Sequence, residues 1–71
     1  MYLVSQDKKN IIHFERVEFS SLFKQYSIIA YGTGASVNAT VGDYKTEEEA
    51  RAEMNHIIEA LKMGVEVYEV R

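Results

Sequence analysis

The chain has no cysteine and no proline among its 71 residues. The first absence excludes a disulfide framework and any metal site built on thiolates. The second means that no X-Pro isomerisation slows folding. A chain this short has room for a single domain, residues 1–71, and such a core seldom supplies more than about 3–5 kcal/mol. Because disulfides are absent, we expect association with other chains to add stability.

Clustered positive charge and long apolar runs are also lacking. The net charge is −3. Residues 1–45 contain five basic and four acidic side chains, and residues 46–71 contain three basic and seven acidic side chains. Nonspecific binding to nucleic acid or anionic lipid requires clustered lysine and arginine, so this composition argues against both. The first residues lack the pattern of a secretion signal, and the uncharged segment 25–42 is too polar to span a bilayer. We therefore expect a cytoplasmic protein with no membrane partner.

The last third of the chain has the pattern of an amphipathic helix over residues 47–63. Thr46 followed by Glu47-Glu48-Glu49 is typical of a capping box, and Gly64 suits a left-handed cap at the other end. The predicted apolar stripe consists of Ala50, Met54, Ile57, Ile58 and Leu61. The predicted polar face includes Arg51, Glu53, Asn55, His56, Glu59 and Lys62.

The remaining segments have strand patterns, at residues 2–5, 11–19, 23–31, 37–41 and 65–70. Apolar positions change parity between Phe14 and Val17, which predicts a β-bulge near Glu15 and Arg16. Ser20-Ser21 indicates the end of that strand. The sequence thus predicts an α+β fold: an antiparallel β-meander of four to five strands with one amphipathic helix packed on one face, in the order β-β-β-β-α-β.

No residue pattern predicts catalysis, a cofactor or a metal ion. His13 and His56 have no ligand partner at a suitable spacing. Ser5-Gln6-Asp7-Lys8 has the spacing of a lysine-activated serine, but it lies at a predicted strand end and turn. Gly32-Thr33-Gly34 lacks the following helix that a phosphate loop needs and indicates a hairpin turn with positive φ. We therefore expect a noncatalytic protein.

Two functions remain open. One helix cannot cover five strands, and the last strand is apolar on both faces, so we expect a homo-oligomer that binds other proteins through exposed strand edges. The expected interface residues are Val65, Val67, Tyr68 and Val70. The alternative is a single-stranded nucleic-acid-binding protein that uses strand aromatics and the mildly basic first half. Its expected contacts are Lys8, Lys9, Arg16 and Lys24.

Three segments carry a resemblance to a known group of proteins. They are residues 1–9 (MYLVSQDKK), 41–48 (VGDYKTEE) and 67–70 (VYEV). In these segments the chain resembles short, uncharacterised proteins of Gram-positive bacteria and their phages, which open with an aromatic residue, an aliphatic pair and Ser-Gln-Asp-Lys. Those proteins often close with Met-Pro, where this chain has Val70-Arg71. The resemblance implies a cytoplasmic protein from a phage or mobile-element setting and brings no catalytic residues.

Overall fold

The computed structural model of the chain describes residues 1–33 and 37–71. The elements are β1 (Tyr2–Val4), β2 (Ile11–Leu22), β3 (Gln25–Gly32), β4 (Asn38–Tyr44), α1 (Glu47–Lys62) and β5 (Val67–Glu69). The strands form one sheet in the order β4-β3-β2-β1-β5. The predicted α+β class and the four-strand antiparallel meander are confirmed, and β5 joins the sheet parallel to β1. Within the described ranges, no helix is long and apolar enough to cross a membrane.

Strand β2 changes the face that it presents to the core at a bulge. Phe14 pairs with Gly32 and Arg16 pairs with Tyr31, which leaves Glu15 as the extra residue. The predicted bulge is therefore confirmed at its predicted position. Because the extra residue shifts the alternation by one, apolar side chains on both sides of the bulge face the core.

Strand β4 contains a second bulge, which the sequence pattern did not indicate. Ile28 pairs with Gly42 and Ile29 pairs with Thr40, so Val41 is the extra residue. Val41 and Gly42 are both buried, although they are neighbours in a strand. Since each bulge increases the local twist, the two bulges together coil the sheet around its core.

The turn between β2 and β3 lies at Phe23 and Lys24, so the prediction that the strand ends at Ser20-Ser21 was wrong. Phe23 has φ 52° and Lys24 has φ 61°, as a two-residue type I′ hairpin turn requires. The error arose because neither residue type favours positive φ, whereas serine is common in turns. Gly32 ends β3 without positive φ, contrary to prediction, and Gly34 lies outside the described residues.

Helix α1 begins and ends almost where its capping signals predict. The Thr46 hydroxyl accepts a hydrogen bond from the Glu49 amide at 3.2 Å and donates one to the Glu49 carboxylate at 3.0 Å. The second bond differs from the expected one, in which that carboxylate accepts from the Thr46 amide. At the other end, the Met63 amide donates to the Glu59 carbonyl, and Gly64 has φ 73°.

The buried face of α1 differs from the predicted apolar stripe. Its buried residues are Ala50, Glu53, Ile57 and Ala60. Ile58 and Leu61 are nearly half exposed, and Glu53 was wrongly assigned to the polar face. The two alanines explain the difference, because small side chains let the helix backbone approach the sheet closely on the face that they occupy.

The core lies between the inner face of the sheet and α1. It consists of Leu3, Ile12, Ile28, Ala30, Val41, Tyr44, Ala50, Ile57 and Val70. The helix packs mainly against β2, β3 and β4. The sheet half made of β5, β1 and the start of β2 therefore has an outer face and an edge that α1 does not cover.

Candidate interaction surface

Strand β5 forms one edge of the sheet and is paired on one side only. The Tyr2 amide donates to the Glu66 carbonyl at 2.8 Å, and the Val70 amide donates to the Val4 carbonyl at 2.9 Å. Peptide groups of successive residues in a strand point to opposite edges. The N–H and C=O groups of Val67 and Glu69 therefore point away from β1. We call these outward-facing groups the β5 edge.

The last residues of the opposite edge of the sheet, β4, are covered by Gln6. The Gln6 amide donates to the Val41 carbonyl at 2.8 Å, and the Asp43 amide donates to Gln6 Oε1 at 2.7 Å. A bulge and a side chain that takes up ladder hydrogen bonds are two ways in which proteins block strand pairing. Among the described residues, the β5 edge has neither of these two devices, although β5 is only three residues long and carries one charged side chain, Glu69.

An apolar surface lies beside the β5 edge on the face of the sheet opposite α1. It consists of Tyr2, Val4, Ile11, His13 and Val67, which we call the outer patch. The strand register places these side chains next to one another across β5, β1 and β2. Tyr2 lies opposite Val67 on one side and His13 on the other, and Val4 lies opposite Ile11. Ile11 is 70% exposed and Val67 is 55% exposed. Contiguous apolar surface of this kind is typical of protein–protein interaction sites.

A groove of about 720 Å³ runs along the β5 edge and is open to solvent. It is lined by Gln6, Lys8 and residues 67–71. Lys8 Nζ lies 3.3 Å from Glu69 Oε1, and both side chains are largely exposed, so this ion pair contributes little to stability. The groove therefore leaves room for another chain beside β5.

The four expected interface residues have different environments. Val67 is exposed on the outer patch, whereas Val65 is half-buried in the segment between α1 and β5. Tyr68 is half-buried on the inner face, and Val70 is only 3% exposed within the core. The inclusion of Val70 needs correction, because its own chain covers it and it cannot contact a partner. The second apolar face of this strand packs against the core of the same chain.

A buried carboxylate that the sequence pattern missed holds the end of the chain in place. Glu53 is 4% exposed, and its Oε2 accepts hydrogen bonds from the Tyr68 hydroxyl at 2.7 Å and the Arg71 amide at 2.9 Å. His56 Nδ1 lies 3.1 Å from its Oε1. Burial and the hydrogen bond to Glu53 raise the pKa of Tyr68 to about 12. These contacts fix β5 against α1, and with it the geometry of the β5 edge.

The Arg71 carbonyl is a second point at which this segment is held. It accepts hydrogen bonds from the Tyr44 hydroxyl at 2.7 Å and from Gln6 Nε2 at 3.0 Å. Burial raises the pKa of Tyr44 as well. Gln6 therefore contacts both the covered edge at β4 and the segment that follows β5.

The residues expected to contact nucleic acid do not form one surface. Lys8 and Lys9 lie in the turn between β1 and β2, and Lys24 lies in the turn at the far end of β2. Arg16 lies between them, with its guanidinium carbon 4.3 Å from the centre of the Tyr31 ring. Because these four side chains lie at different places along β2 and its turns, they give little support to a continuous positively charged surface for a nucleic-acid strand.

Most aromatic side chains of the strands pack in or against the core and do not form an exposed surface for stacking with bases. Tyr44 is a core residue, and four others pack against the core: Phe14, Phe19, Tyr26 and Tyr68. A surface that binds single strands needs aromatic rings open to stacking with bases. The alternative function is therefore less well supported than the interaction module.

Neither histidine lies in a cluster with metal-binding geometry. The His13 ring lies against the Tyr2 ring, with the ring centres 4.9 Å apart and the planes tilted by 51°, and His56 contacts Glu53. In residues 1–33 and 37–71, no group of three His, Asp or Glu side chains is placed to hold a metal ion.

Comparison with known proteins gave no relatives: no family model, no curated protein and no solved structure matches the chain. The resemblance to short proteins of Gram-positive bacteria and their phages therefore stays a prediction from the sequence.

Proposed function

We propose that this protein is a small noncatalytic module that forms a homo-oligomer and binds other proteins. The observation that carries the proposal is the β5 edge, whose outward-facing peptide groups have no partner among residues 1–33 and 37–71 and lie beside the apolar outer patch. Strand edges recruit partners through main-chain hydrogen bonds, and adjacent apolar side chains add affinity by leaving water. A short chain without disulfides also gains stability when association buries such surface.

The surroundings of Ser5 support a noncatalytic role. Its hydroxyl donates to Asp7 Oδ1 at 2.5 Å and accepts from the Asn10 amide at 3.1 Å. The bond from Ser5 and a second from the Lys9 amide hold the pKa of Asp7 below its usual value. The Ser5 hydroxyl therefore closes the turn between β1 and β2. Lys8, which would have to activate Ser5 in a catalytic pair, forms an ion pair with Glu69 instead.

The proposal includes a cytoplasmic location and a phage or mobile-element setting. Both depend on the resemblance carried by residues 1–9, 41–48 and 67–70.

The experiment is the mass in solution, measured by light scattering after size exclusion at two protein concentrations. We expect a dimer or larger assembly for the wild type. Val67→Asp should be monomeric, because a charge at the centre of the β5 edge would have to be buried without a partner. Circular dichroism of the variant checks that it folds.

Leu22→Asp is the matched control, because Leu22 is equally apolar and exposed but lies at the far end of β2. It should assemble like the wild type. A monomeric wild type at both concentrations contradicts self-association. Assembly that is lost in Leu22→Asp and kept in Val67→Asp would assign the interface to the hairpin turn instead.

A further inference from the structure

We infer that two copies of the chain join their β5 strands antiparallel about a two-fold axis at Val67, which extends the two sheets into one. This inference rests on the proposed self-association and specifies its geometry. It concerns the β5 edge and the outer patch together.

The hydrogen-bonding groups at the β5 edge fit this arrangement. With Val67 opposite its copy, each Val67 amide donates to the other Val67 carbonyl. The Glu69 amide of each chain then donates to the Val65 carbonyl of the other, for about four hydrogen bonds in all. The Val65 amide needs no partner across the interface, because it already donates to the Ala60 carbonyl at 3.0 Å.

Charge and exposure favour this register. A two-fold axis at Glu66 or Glu69 would place a glutamate directly opposite its copy, and like charges in that position destabilise a strand pair. An axis at Tyr68 would centre the pair on a half-buried side chain that its hydrogen bond to Glu53 holds on the inner face. The axis at Val67 instead sets two exposed apolar side chains opposite each other.

The surroundings of β5 leave space for a second copy. The open groove of about 720 Å³ runs along this edge, and α1 packs mainly against the strands farther from it. Pairing at Val67 would also bring the two outer patches side by side, because Tyr2 is the direct neighbour of Val67 in the sheet. Apolar surface then continues across the junction on the face opposite the helices.

The absence of cysteine from the chain makes disulfide trapping a clean test. In a hydrogen-bonded antiparallel pair the two Cα atoms are about 5.5 Å apart, within the range of about 4.4–6.8 Å that a disulfide needs. We therefore expect Val67→Cys to form a covalent dimer under mild oxidation. Glu69→Cys should stay largely uncrosslinked, because its two Cα atoms would be separated by four residues along the strand, roughly 13 Å.

Leu22→Cys measures crosslinking that results from random collision, since Leu22 is exposed and distant from β5. The inference predicts that Val67→Cys crosslinks at least tenfold faster than Leu22→Cys and Glu69→Cys. Faster crosslinking of Glu69→Cys than of Val67→Cys would overturn the register. Equal slow crosslinking of all three, with a wild type that is dimeric by light scattering, would overturn the β5 interface but not self-association. A monomeric wild type overturns both.

Discussion

Removal of the Glu53 carboxylate should strongly destabilise the fold. This side chain is almost fully buried and accepts hydrogen bonds from the Tyr68 hydroxyl and the Arg71 amide. In Glu53→Ala both donors lose their acceptor at a place where the chain excludes most water. The segment that follows α1 would then be held by fewer contacts.

The magnitude follows from the two buried hydrogen bonds. A hydrogen bond to a charged group is worth about 1.5–3 kcal/mol when the partner is buried. Tyr68 is only half-buried, so its hydroxyl regains part of this energy from water, and His56 is largely exposed. We expect Glu53→Ala to lower the free energy of unfolding by about 2–4 kcal/mol, which is a large share of the roughly 4–10 kcal/mol typical of a chain this long.

The assay is urea unfolding followed by circular dichroism. With an m-value of about 1 kcal/mol/M for a small protein, the midpoint should fall by roughly 2 M or more. Glu59→Ala is the control, because Glu59 lies on the same helix but is exposed and pairs loosely with Lys62 at 3.7 Å. It should change stability by less than about 0.5 kcal/mol. Equal midpoints for the two variants would refute a structural role for the buried carboxylate.

A double-mutant cycle separates the Glu53–Tyr68 contact from other effects. Glu53→Ala removes the acceptor, and Tyr68→Phe removes the donor while it keeps the ring. Because the two groups are in direct contact, their effects should be non-additive by about 0.5–3 kcal/mol. Additive effects would show that the 2.7 Å hydrogen bond contributes nothing of its own.

Three other changes have defined outcomes. Replacing Phe23 and Lys24 together by Asn and Gly should raise the free energy of unfolding by about 1 kcal/mol and Tm by roughly 4–8 °C. The reason is that asparagine and glycine adopt the positive φ values of these two positions at lower cost. A lower Tm in calorimetry would contradict this expectation. Between pH 10 and 12 the folded chain keeps the Tyr68 proton while the unfolded chain loses it. Stability should therefore fall with rising pH, and less steeply in Tyr68→Phe, as urea midpoints at pH 9, 10 and 11 would reveal. Gly42→Ala should cost about 1–3 kcal/mol in urea unfolding, since its Cβ would lie 2.5 Å from Tyr44 Oη; an unchanged midpoint would show that the ring moves aside freely.

Local signals in the sequence predicted the features that depend on few neighbouring residues. Thr46 and Gly64 cap α1 through their own hydroxyl and backbone freedom, so its limits follow from the residues at each end. The bulge at Glu15 follows from the parity of the apolar residues around it. In both cases the cause lies within a few residues of the effect.

The features that the sequence did not predict depend on distant contacts. Glu53 is polar by type, and only the contacts with Tyr68 and Arg71 make its burial favourable. The spacing of Ala50, Glu53, Ile57 and Ala60 was the one signal that could have indicated it, since small residues favour close helix packing. The parallel pairing of β5 with β1 joins opposite ends of the chain, and no short pattern reports such a contact.

The contrast between the two sheet edges connects the fold with the proposed function. Gln6 covers the last residues of β4 with its backbone and side chain, and the same side chain donates to the Arg71 carbonyl beyond β5. One residue thus blocks pairing at the first edge and helps to hold the second in position. If open edges were simply a cost of the small size of the chain, both would be equally exposed. The bulged and partly covered β4 and the uncovered β5, with an apolar outer patch beside it, favour β5 as the place where a second copy binds.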